Sequence, residues 1–173
     1  MVKTIYLLRH AKSSWDNAEL EDHDRPLSKR GRRSAGAVAA YLKRSQIAPD
    51  LVVCSSAERA RQTLDLVSRA IKPSKVILDR NVYEAGPRKL MKYLCQLPEI
   101  AETVFLIGHN PALHELALSL ADPASAKRLP PVEGKFPTAA LATFEFDGQW
   151  IGLAPHRARV TSFVIPAELQ DDA

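Results

Sequence analysis

The stretch Ile5–Trp15, IYLLRHAKSSW, decides how the rest of the chain is read. Four apolar residues run straight into Arg9 and His10 and then into a polar segment. A short continuous apolar run of this kind suits a strand covered on both faces, as in a mainly parallel sheet. Open α/β sheets bind their ligands outside the carboxyl ends of the strands. A strand ending in Arg9-His10 therefore places a cation and an imidazole where such a fold does its chemistry.

Working outward, the segments Leu51–Cys54, Val76–Leu78 and Thr103–Ile107 repeat the character of Thr4–Leu8, and helical patterns separate them. Ala35, Val38, Ala39 and Leu42 fall at i, i+3, i+4 and i+7, as do Leu90, Tyr93, Leu94 and Leu97, and Leu113, Leu116, Ala117 and Leu120. Ala60, Leu64, Val67 and Ile71 keep one face of another helix. Ser28 is placed as an N-cap, and Pro111 suits a helix's first turn. Asp147-Gly148, between Ala140–Phe146 and Trp150–Leu153, predicts a hairpin, and Arg159–Ile165 a final strand. The Pro- and Ala-rich stretch Ala121–Thr138 is the one long irregular loop. These signals predict a single domain over residues 1–173, a three-layer α/β/α sandwich whose mainly parallel sheet carries an antiparallel edge hairpin.

Composition narrows the function. With 173 residues, 46% hydrophobic and 25% charged, the chain holds enough apolar mass for a core without staples. Its net charge of +4 favours anionic ligands without naming one. Aromatics are only 6%, which argues against a nucleic-acid binder, since such proteins interleave basic runs with stacking residues. Cys54 and Cys95 read as small buried hydrophobes rather than a disulfide or a metal pair. The N-terminal residues lack a signal-peptide pattern and no apolar run approaches a membrane span, so a cytoplasmic protein without membrane contact is expected.

Four polar clusters lie at the predicted strand ends. The first is Arg9-His10, and the second, CSSAERARQT, carries Ser55, Ser56, Arg59 and Arg61. The third, NVYEAG, contains Glu84, and the fourth, GHNP, contains His109 and Asn110. Two histidines, several arginines and one carboxylate thus converge from distant segments. The planar fork of arginine matches a tetrahedral oxyanion, so this set points to a phosphate-like group. A divalent cation held by His109, His114 and Glu115 is the rival reading. Crowded guanidinium groups repel a metal unless carboxylates outnumber them, and here they do not. No metal and no cofactor are expected.

Taken together, Arg9-His10, SSAERARQT and GHNP resemble the histidine phosphatase (phosphoglycerate mutase-like) superfamily. LLRHAKSSW and DHDRPLSKRG resemble its small branch, the SixA-type phosphohistidine phosphatases. The resemblance implies a metal-independent phosphatase in which His10 is the nucleophile and Arg9, Arg59 and His109 hold the phosphoryl oxygens. It implies Glu84 as the acid for the leaving group, and Arg25, Asn110 and Ser55 as substrate-binding residues. The expected partner is a phosphorylated protein, such as a phosphohistidine domain, or a small phosphorylated metabolite. The alternatives are a phosphomonoesterase using the same residues and a non-catalytic phosphate- or phosphopeptide-binding module. A backbone carbonyl is expected to accept from Nδ1 of His10, leaving Nε2 to attack. Ala11 stands where the family usually has glycine.

Other residues carry blander expectations. Arg61 is expected to face solvent or an acidic neighbour, and Arg25 to pair with Asp22 or Asp24 if it does not bind substrate. His23, His114 and His156 have no partner motif, while Lys12, Ser13 and Ser14 are expected at the rim. The run Lys29–Arg33, KRGRR, opposes the dipole of its helix by about 0.3–1 kcal/mol per cation and reads by default as a solvated face. Contacts to a phosphoprotein are its possible use.

Overall fold

Six strands form one sheet in the order β3-β2-β4-β1-β5-β6 in the computed structural model, which describes residues 1–170. The last three residues of the expected 1–173 domain lie outside the described residues. The strands are β1 (Val2–Arg9), β2 (Leu51–Ser55), β3 (Lys75–Asp79), β4 (Thr103–Gly108), β5 (Leu141–Asp147) and β6 (Arg159–Val164). β1 to β4 run parallel, whereas β5 pairs antiparallel with both β1 and β6. The helices are α1 (Lys29–Arg44), α2 (Glu58–Ile71), α3 (Arg80–Glu84), α4 (Pro87–Cys95), α5 (Ala112–Leu120) and α6 (Pro166–Gln170).

The pleat sorts the apolar residues to two faces. Leu8, Val52, Cys54, Phe105 and Ile107 pack with Ala35, Val38 and Leu42 of α1 and Ala60, Leu64 and Val67 of α2. Ile5, Leu7, Val53, Val104 and Leu106 pack with Leu90 and Leu94 of α4 and with Leu113, Leu116 and Leu120 of α5. The three-layer α/β/α arrangement is therefore the observed one. Ser28 caps α1 as expected, its hydroxyl accepting from the Gly31 N–H at 3.0 Å. Gly31 is required there, because a Cβ would lie 2.1 Å from the Lys12 carbonyl oxygen. α1 thereby docks directly on the segment that follows His10.

Three details differ from the expectation. Trp150–Leu153 is not a strand: Trp150–Gly152 forms a 3-10 turn, and β6 is the antiparallel partner of β5. The Trp150 indole is fully buried and donates from Nε1 to the Ala101 carbonyl at 2.8 Å, which ties this segment beneath the sheet. β3 lies at the sheet edge and leaves Val76 and Leu78 exposed, so its apolar run is not covered on both faces. Cys54 is buried as expected, but Cys95 is only half-buried, its thiol donating to the Leu153 carbonyl.

Candidate active site

The parallel strands β1, β2 and β4 are adjacent in the sheet, so their carboxyl ends converge. Arg9 closes β1, Ser55 closes β2 and leads to Arg59 in the first turn of α2, and His109 follows β4. Together they form a cavity of about 540 Å³. It is lined by Arg9, His10, Arg59, His109 and Asn110, with Asp22 and a rim that includes Lys12, Trp15 and Lys135.

His10 is almost wholly buried, at 7% exposure. Its Nδ1–H donates to the Ala11 carbonyl at 2.7 Å, which leaves Nε2 as the unprotonated nitrogen. Arg59 Nε donates to that Nε2 at 3.3 Å. Ala11 is buried, and its N–H donates to Thr63 Oγ1, whose own hydroxyl donates to the Arg59 carbonyl. The loop after β1 and the first turn of α2 are therefore one hydrogen-bonded unit.

The His109 ring lies 4.9 Å from that of His10, centroid to centroid. Its Nε2–H donates to Ser55 Oγ at 2.6 Å, and Nδ1 accepts from Arg59 Nη2 at 3.4 Å. Burial, then the neighbouring His109, and more weakly Arg59 and Arg9, push the His10 pKa down to about 3. Burial and Arg59 push His109 down to about 4. Both imidazoles are neutral at physiological pH. Arg9 donates from Nη1 to the Phe136 carbonyl at 2.9 Å, while its buried Nε has no partner among the described residues. Burial and the charge of Arg59 lower the Arg9 pKa, a direction that a bound anion would reverse.

The structure brings Arg9, His10, Arg59, His109 and Asn110 to one cavity and separates three other expected residues from it. Ser55 is fully buried behind His109 and positions that ring. Arg25 packs its guanidinium carbon 3.9 Å from the centre of the Trp15 ring instead of pairing with Asp22 or Asp24. Glu84 faces solvent and forms an ion pair with Arg80 at 3.0 Å, outside the cavity. Its neighbour Tyr83 turns inward instead: the hydroxyl donates to Asp22 Oδ2 at 2.9 Å, and the ring meets His109 edge-on at 5.4 Å. Successive helical residues point about 100° apart, so only one of this pair can face the site.

Sequence reasoning missed Asp22, Tyr83 and Thr63 as members of the site. Asp22 accepts from Arg59 Nη2 at 2.9 Å, and its backbone carbonyl accepts from Nη1 at 2.6 Å. Burial raises its pKa, but hydrogen bonds from Tyr83 and Arg59 outweigh that and leave it lowered. The residue was visible in DHDRPL, yet only folding shows that its partner is Arg59. His114 and His156 are held by the carbonyls of Pro130 and Ala121, in keeping with structural roles. His23 bonds Asp24 Oδ1 through Nδ1 and Ser56 Oγ through Nε2, and lies edge-on to Tyr83 at the back of the same cluster. Arg61 pairs with Glu58, the acidic neighbour expected for it.

Among the described residues no group of three His, Cys, Asp or Glu side chains is placed to hold a metal ion, and no helix is long and apolar enough to cross a membrane. Comparison with known proteins gives this geometry a family. The model of the histidine phosphatase superfamily (branch 1) matches residues 5–90. The uncharacterised protein Rv1276c of Mycobacterium tuberculosis is 35% identical over 164 residues, covering 92% of this chain and 99% of that protein.

The chain belongs to the histidine phosphatase superfamily, in its SixA-type branch. A structure from Nakamurella multipartitia, of a candidate phosphohistidine phosphatase SixA, superposes with a TM-score of 0.81 at 28% identity, over 96% of this chain and 97% of that one. A SixA candidate from Agrobacterium tumefaciens gives 0.81 at 27% identity, over 95% and 98%. Family and neighbours together make this chain a phosphatase of the hydrolase class.

Proposed function

We propose that this histidine phosphatase removes phosphate from phosphohistidine on a protein partner, through a phosphorylated His10 and without a metal. The observation that carries the reading is the fixed tautomer of His10. The Ala11 carbonyl binds Nδ1–H and leaves a neutral Nε2 facing the cavity, beside Arg59 and His109. A neutral imidazole is a competent nucleophile, and preorganised donors stabilise charge on the transferred phosphoryl group. In the first half-reaction Nε2 attacks phosphorus while the P–N bond of the substrate breaks; the bond's electron pair leaves with the substrate imidazole, whose ring takes one proton from solvent so that it departs as neutral imidazole. Water then attacks the phosphorus of phospho-His10, the P–Nε2 bond breaks with its electron pair returning to Nε2, and inorganic phosphate leaves carrying the protons of the water. Arg9, whose buried Nε has no partner among the described residues, and Arg59 supply donors to the phosphoryl oxygens. A dianion in the cavity would also favour protonation of His109 at Nδ1, turning it from acceptor to donor.

The cavity carboxylate favours a labile P–N bond over an alkoxide ester. Asp22 is held ionised by Arg59 and Tyr83, and Glu84 is outside, so neither is poised to protonate a poor leaving group. A protein substrate is favoured by the surface beside the cavity. Arg30 and Arg33 of α1 are exposed and line a second cavity, of about 280 Å³, that shares Pro137 and Thr138 with the first. Acidic groups of a phosphoprotein would find cations there.

The test is quenching of the enzyme during turnover of a labelled phosphohistidine protein, alongside rates for a panel of phosphorylated metabolites. Acid-labile, alkali-stable label on the enzyme and faster turnover of the phosphoprotein are expected. A metabolite ester turned over far more efficiently would overturn the substrate reading, and label absent from the enzyme would overturn the intermediate.

A further inference from the structure

Trp15 lines the same cavity as His10 and Arg59 yet is 68% exposed. It is not a loosely hung side chain. The Ser14 N–H donates to the Pro26 carbonyl at 2.7 Å, and Ser13 and Leu27 form an antiparallel bridge, which clips the segments carrying Trp15 and Arg25 together. The Arg25 guanidinium lies 3.9 Å from the ring centre. Its Nε and Nη1 are buried without hydrogen-bond partners among the described residues. The cation has thus exchanged water for the face of an indole, which fixes the ring and leaves other ring surface to the cavity and solvent. A guanidinium on one face also draws electron density from the indole. The free surface then suits an electron-rich planar ring bearing an anion better than a cationic group.

We propose that Trp15, backed by Arg25, is the platform for the planar leaving group: it stacks on the imidazole of the substrate phosphohistidine while the phosphoryl group enters the Arg/His cavity. This inference rests on the phosphohistidine reading and adds the element that recognises the ring rather than the phosphate. Trp15 is a positioning residue for the substrate, and Arg25 positions Trp15.

The test compares free N-phosphohistidine with phosphoramidate, which has the same P–N bond and no ring, in wild type, Trp15→Ala and Trp15→Phe. Trp15→Ala should raise KM for N-phosphohistidine by about tenfold with kcat little changed, a size typical of one aromatic stack. Trp15→Phe should restore most of the loss, and phosphoramidate kinetics should stay within about twofold in both variants. Equal losses on the two compounds, or none on either, would overturn the platform. A loss confined to a phosphoprotein would also overturn it, by showing Trp15 to be a surface anchor. A wild-type enzyme that ignores both P–N compounds but cleaves phosphoesters would instead sink the phosphohistidine reading itself.

Discussion

The two ends of β1 both bury nitrogen-bearing side chains, and they treat them oppositely. At the amino end Lys3 is fully buried, yet its ammonium reaches the Glu99 carbonyl at 2.5 Å, the Ala101 carbonyl at 3.2 Å and the Glu99 carboxylate at 3.4 Å. At the carboxyl end Arg9 Nε and Asn110 Oδ1 are buried without partners among the described residues, where His10 Nε2 has only a long bond from Arg59. A buried polar group without a partner costs about 1–3 kcal/mol. The first end is a satisfied structural network. The second leaves the Arg9 Nε–H as a donor for a phosphoryl oxygen in the proposed reaction, and that difference separates a buried structural charge from a candidate site.

The largest expected effect breaks the carboxyl end. His10→Ala should lower turnover at least ~10³-fold, because the attacking nitrogen is removed, while shifting the melting temperature little. Steady-state rates and thermal melts on the same samples check this, and near-normal turnover would refute the nucleophile. At the opposite end, Lys3→Met should cost about 2 kcal/mol by leaving buried carbonyls unpaired, seen as a Tm drop of about 4–8 °C, with kcat unchanged at temperatures where the protein is folded. A loss of activity without a loss of stability would contradict the division between the ends.

Acid should sharpen the contrast. His10 and His109 have folded pKa values pushed down to about 3 and 4, whereas an unfolded histidine titrates near 6.5. The unfolded chain therefore binds more protons, so stability is full above pH 6.5 and declines as pH falls toward 3. Urea unfolding at pH 7 and pH 4.5 should show the decline, and His10→Ala should reduce it. Corrected for substrate ionisation, kcat/KM should have no enzymic acid limb at pH 6.5. A limb there would mean that His10 titrates as an ordinary exposed histidine.

The smallest effect concerns the carboxylate outside the cavity. Glu84→Gln should change kcat for a phosphohistidine substrate by less than about threefold, since its present partner is Arg80 at the surface. A loss above tenfold would show that α3 turns Glu84 into the site during the reaction.

Sequence by itself determined the architecture and most of the pocket. Short apolar runs alternating with 3.6-period segments specify a parallel α/β sheet, and such a sheet gathers its strand ends at one edge. Arg9, His10, Arg59, His109 and Asn110 could therefore be placed at one edge from their positions in the chain alone. Only the tertiary structure decided between neighbours and among partners. Tyr83 and Glu84 are adjacent in sequence, and the docking of α3 sends one inward and the other to solvent. Asp22 had Arg25 close by in the chain but pairs with Arg59, 37 residues away, while Arg25 takes the face of Trp15. Trp150 reads as a strand residue beside a turn, yet it becomes a buried anchor because the Ala101 carbonyl lies within reach of its Nε1–H. Periodicity is a local property that the chain carries along its length. Which donor meets which acceptor depends on distances that exist only once the layers have packed.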